Sequence, residues 1–206
     1  MPTPAFFEVV PRIVVHDPLA AFLGAPSDGV IDYGYVDAVR LAGHSCPTVV
    51  SAWLMTRAAL LALYPQAPGG DRLPERGSIA VAMRGSLQEG VNGVVANVVG
   101  LVTGAATDSG FKGIGGRFER RGLLSDDARI DGEIRFTRTD NGDSVVTTAR
   151  LEHVKFDARV PQLMRACLVG SATPQEAALF GSLWQARVEQ LLTAHADDPE
   201  VIVLRR

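Results

Sequence analysis

A chain of 206 residues, 47% hydrophobic and 21% charged, can bury a sizeable core without disulfides. Its net charge is −3 and its basic residues are dispersed, which argues against a nucleic-acid surface; Arg117, Arg120 and Arg121 read as a solvated strand edge. No apolar run approaches the roughly 18 residues of a membrane helix, and residues 1–4 lack a signal peptide's pattern, so a cytoplasmic protein without membrane or nucleic-acid partners is expected.

Residues 6–15 are rich in aromatic and β-branched types and predict a strand that Pro11 interrupts. Residues 19–23 predict a short helix ended by Gly24, residues 30–35 a brief strand, and residues 37–42 one or two helical turns. Residues 48–64 are apolar or small, with Arg57 the only charge, so a helix buried on several sides is expected there, ended by Pro65. A turn follows at residues 67–71. Residues 78–84 alternate as a strand. Val91, Val94, Val95, Val98, Val99 and Val102 recur at helical spacing and favour a helix over residues 90–104. Residues 110–116 form a glycine-dense loop without the Gly-Lys-Ser/Thr ending of a phosphate loop. Two strands, 129–139 and 144–154, are joined at Asp140-Asn141-Gly142-Asp143, where Asn-Gly suits a type I′ turn. Cys167 belongs to a helical stretch at residues 163–168.

The last long helix is signalled by Thr173 as N-cap, Pro174 at the first position and Glu176 completing a capping box. Leu179, Phe180, Leu183, Trp184, Val188, Leu191 and Leu192 give it a broad apolar stripe, and residues 201–204 predict a closing strand. Trp53 and Trp184 read as core or dimer anchors, and His195 as a favourable charge near the helix C-terminus. Strands and helices mix without a βαβ rhythm. The expected fold class is therefore α+β: a mixed or antiparallel sheet packed against the buried helix, in a single domain over residues 1–206 with a C-terminal helical extension from about residue 173.

The chemistry concentrates at Gly43-His44-Ser45-Cys46-Pro47. Residues i and i+2 of an extended segment project to the same side, so the His44 imidazole and the Cys46 sulfur can meet one ion. The helix beginning near Pro47 presents free N–H groups and a positive dipole end, which favour a thiolate able to bind metal or attack an electrophile. A borderline-soft S/N pair suits Zn²⁺ first, with Ni or Cu as alternatives.

The run from Asp37 through Gly43-His44-Ser45-Cys46-Pro47 resembles the Gly-His-x-Cys-Pro signature of the FmdE family, named for a component of formylmethanofuran dehydrogenase. The apolar helix after it resembles the family's own, and residues 89–112 look like a degenerate second motif; the likeness spans roughly residues 30–155. It implies a metal-binding α+β core that forms tight homodimers; the chain's ample apolar content, which makes a metal unnecessary for folding, adds the expectation of an open site with water or a small-molecule ligand at the metal. Ala42 stands where the family often has His, the second-motif cysteines are missing, and no C-terminal zinc ribbon follows. Only His44 and Cys46 therefore carry over. Zinc takes three or four protein ligands, so a third is sought among His16, Asp17, Asp37, Asp108 and His153. Two other functions fit the same sequence: an enzyme using Cys46 as a thiolate nucleophile or redox centre, or a non-catalytic partner subunit that docks through the last helix.

Overall fold

The computed structural model of the chain describes residues 3–65 and 72–206; the turn expected at residues 67–71 lies outside them. Among the described residues, six α-helices and two sheets form an α+β fold. Strand β1 (Ile13–His16) pairs antiparallel with β2 (Val30–Tyr33), with α1 (Pro18–Leu23) between them. Two helices follow, α2 (Tyr35–Ala42) and α3 (Pro47–Leu63). Next come β3 (Ile79–Met83), α4 (Asn92–Thr103), β4 (Leu124–Ser125), β5 (Ile134–Arg138) and β6 (Ser144–Ala149). The chain closes with α5 (Val160–Leu168), α6 (Pro174–Leu192) and β7 (Ile202–Arg205).

The larger sheet has the order β4-β3-β5-β6-β7, with β3–β4 parallel and the other neighbours antiparallel, so it is mixed. Its register aligns Val81, Phe136 and Val145 in one buried row and Met83, Ile134 and Thr147 in another. Such cross-strand rows are the unit of sheet stability. They face α3, which contacts β6 and β7 and also packs on α2, α4 and α6. Trp53, Leu54, Met55 and Leu60 on α3 are buried. A helix apolar on every side is explained by this position, with partners all round.

Several sequence expectations hold. Pro47 opens α3, as its fixed φ permits at the first helical position. Val95, Val98, Val99 and Val102 form the buried face of α4, and Gly104 ends that helix at φ 74°. Thr173 and Glu176 make both bonds of the capping box.

Other elements differ, each for a local reason. Residues 5–9 form a 3-10 helix rather than a strand, with Phe7 buried edge-on against Tyr35 (5.0 Å), and within the expected run only Ile13–His16 is a strand. α2 begins at Tyr35, two residues early, since the Asp37 carboxylate accepts the Gly34 N–H (2.9 Å) and starts the helix there. β5 is shorter than expected, and residues 151–153 leave the sheet as a 3-10 turn. The loop after β5 is not a type I′ turn: only Gly142 has positive φ (79°), and its N–H bonds Arg138 O (3.0 Å) across four residues. Asn141 instead accepts the Asp143 N–H (3.0 Å). Paired positive φ values occur at Gly115 and Gly116 (57° and 77°), where Ile114 and Arg117 exchange both backbone bonds.

Arg120 is the clearest correction. It is 6% exposed, not a solvated edge, and its guanidinium bonds the equally buried Asp17 (2.7 Å).

Candidate functional site at the start of the buried helix

α2 ends at Gly43, whose φ of 77° is a left-handed conformation that glycine adopts at little cost; its N–H bonds Val39 O (2.8 Å). The chain then turns extended, with Cys46 at φ −150°, ψ 167° as the N-cap of α3. His44 and Cys46 consequently project to the same side, and Cys46 Sγ lies 3.2 Å from His44 Nε2. His44 Nδ1 is 2.9 Å from Ala42 O. A carbonyl can only accept, so Nδ1 carries the hydrogen. Nε2 is then either the lone-pair partner of the Cys46 thiol or, in the imidazolium, a donor to the thiolate. His44 is exposed and Cys46 half-buried, so the pair is accessible.

Two flanking helices hold this segment. Ser45 O accepts from Trp184 Nε1 (3.3 Å) and from Gln185 Nε2 (3.1 Å), both on α6. On the other side the Ser45 hydroxyl meets the Tyr35 hydroxyl at 3.1 Å. Tyr35 is fully buried between Phe7 and Trp53. Burial pushes its hydroxyl far above the usual tyrosine range, the Ser45 bond opposes this and nearby Cys46 adds to it, so Tyr35 stays protonated. Trp184 is itself stacked on Phe156 (5.3 Å). Sequence reasoning missed Tyr35 and Gln185 here. Gln185 lies off the apolar stripe of α6, and its partner is 140 positions away.

Trp184→Phe keeps an aromatic ring against Phe156, trims the indole and removes one donor to Ser45 O. We expect a loss of about 0.5–1.5 kcal/mol, read from the urea midpoint. Adding Gln185→Leu leaves that carbonyl without either donor and should slow alkylation of Cys46 by loosening the Cys46–His44 alignment; an unchanged rate would show that α6 does not hold the segment.

The other expected ligands lie elsewhere. Asp17 caps α1, accepting the Leu19 and Ala20 N–H groups (2.9 and 3.3 Å), and pairs with Arg76 (2.8 Å) and Arg120. Its oxygens are taken. Asp37 is committed to Gly34 N and to Arg40. His16 ends β1, its backbone bonded to Pro74 and Arg76 and its ring set against Gly29. Asp108 sits exposed in the turn after α4, and His153 in the exposed 3-10 turn after β6. His195 pairs with Asp198 (2.8 Å). Among the described residues, no group of three or more His, Cys, Asp or Glu side chains is placed to hold a metal ion.

Zn–N and Zn–S bonds of about 2.0–2.1 and 2.3 Å at a tetrahedral angle separate the two donors by about 3.6 Å. The observed 3.2 Å needs only a small opening. A ligating His also donates its other N–H to a carbonyl or carboxylate, as His44 does to Ala42. The pair thus fits two coordination positions, and the described residues of this chain supply no others. A cleft of about 330 Å³ beside the first turns of α3 is lined by Thr48, Ser51 and Glu133, but not by His44 or Cys46.

In comparisons with known proteins, no family model matches the chain and no curated protein does. No helix among the described residues is long and apolar enough to cross a membrane.

Proposed function

We propose that His44 and Cys46 form a two-donor centre for a transition-metal ion, zinc before nickel or copper, in an FmdE-like cytoplasmic protein. One observation carries this reading: Nε2 and Sγ converge to 3.2 Å while Nδ1 is tied to a backbone carbonyl. The FmdE-like reading adds the Gly-His-x-Cys-Pro run and the buried α3 that follows it. When bound, such an ion supplies Lewis acidity or an activated water. The chain's own part is to present a neutral Nε2 and a thiolate, with the remaining positions left to water, a small-molecule ligand or a second copy of the chain in a homodimer. His44→Ala and Cys46→Ala should each lower zinc content after equilibrium dialysis by at least about tenfold. Equal metal in the wild type and both variants would remove the proposal, and sedimentation with and without zinc reports the homodimer.

A second reading is favoured by the absence of a third donor among the described residues. Cys46 with His44 as base and Ala42 O as orienting group is the arrangement of an activated nucleophile. Iodoacetamide separates the two. A free nucleophile alkylates at once, and His44→Ala should slow it about 100-fold or more. A metal-bound thiolate reacts only after a chelator is added.

A further inference from the structure

Asp17 is buried against two guanidiniums, those of Arg76 and Arg120. Glu75 adds its charge to that of Asp17 beside Arg120. Arg120 is nine-tenths buried, with Nη1 on Arg76 O and Nη2 on Asp17, and its Nε has no partner among the described residues. A buried, unpartnered donor on a cation is costly and calls for an acceptor.

Arg120 also lines an open hollow of about 330 Å³, together with Glu75, Arg76, Ser78, Arg117 and Glu119. The carboxylates there are engaged: Glu75 accepts the Ser78 hydroxyl (2.7 Å) and Glu119 pairs with Arg121. The Arg117 guanidinium has no ion-pair partner among the described residues and lies over the Phe118 ring at 4.7 Å. Phe118 has a φ of 63°, uncommon for a bulky residue, and its ring packs on Phe22. Of the three guanidiniums, that of Arg76 bonds Asp17 and Leu101 O, and among the described residues that of Arg120 is buried with one unpartnered N–H and that of Arg117 is exposed without an ion-pair partner.

We infer that this hollow binds a small oxyanion of phosphate or carboxylate chemistry, held by Arg120 and Arg117. Guanidinium forks match the oxygens of both groups. None of the lining residues belongs to residues 43–47, so the inference stands or falls independently of the His44–Cys46 centre.

The test is isothermal titration of the full chain with sodium phosphate, against sodium chloride at matched ionic strength and against sodium acetate. Saturable binding of phosphate or acetate, and none of chloride, is expected, the tighter of the two naming the source class. Arg117→Gln, at an exposed position, should weaken that binding about tenfold with unchanged thermal stability in chloride. Arg120→Lys, which keeps the charge and loses the fork, should weaken it as well. No saturable oxyanion binding, an equal response to chloride, or undiminished affinity in Arg117→Gln would overturn the inference.

Discussion

Replacing Asp17 with alanine is expected to destabilise the chain by about 3–5 kcal/mol, because it removes the buried carboxylate that both guanidiniums bond. The same carboxylate caps α1 through Leu19 and Ala20. Loss of that cap adds about 1 kcal/mol. Arg120 bonds the backbone of Arg76, next to Gly77, whose N–H reaches Thr103 O at the end of α4. The junction therefore ties α1, the approach to β3 and the end of α4 together. Urea denaturation of Asp17→Ala gives the figure, and a loss below 1 kcal/mol would mean that the ion pairs are solvated in solution.

The acid response of Asp17 follows from the same contacts. Burial alone would raise its pKa, but the Arg76 hydrogen bond and the charges of Arg120 and Arg76 outweigh it and hold the carboxyl below the ordinary 3.8. A carboxylate depressed in the folded state contributes fully above its unfolded pKa. Its contribution falls away as pH drops below about 4 and through the folded value. Wild type should lose stability in that acid range, while Asp17→Ala should lack this part of the slope.

Leu191→Ala is the second large effect, about 2–5 kcal/mol of a total near 5–15. Leu191, Leu192 and Val188 on the second half of α6 are fully buried, and α6 packs on α3. The chain that leaves α6 also provides β7, which pairs with β6 and completes the sheet. The loss is read from the urea midpoint, with an unchanged m-value confirming that only stability has moved. A cost under 1 kcal/mol would mean that this half of α6 is not seated against α3. The result bears on the idea of a docking helix. The buried side chains of α6 already have a partner within this chain, whereas Leu179, nearer its start, is exposed.

Much of the secondary structure could be read locally because local rules set it. The apolar run after Pro47, the valine spacing of α4 and the Thr173–Glu176 box are each contained within a few residues, and each element formed where expected. The convergence of His44 and Cys46 was likewise legible, since an extended i, i+2 pair needs no distant partner. The errors came where long-range packing overrode a local tendency. Residues 5–9 look like a strand until Phe7 finds Tyr35, and Arg120 looks solvated until Asp17, 103 positions away, draws it inside.

For this protein, periodicity and end-capping residues were enough to set the α+β class, the long last helix and the two donor atoms of the candidate site, because those depend on near neighbours. The grip of Trp184 and Gln185 on Ser45, the buried triad of Asp17, Arg76 and Arg120, and the dispersal of the other candidate ligands arise only when the chain is packed. Side chains separated by a hundred positions meet through the geometry of the whole core, and no short window of residues encodes that meeting.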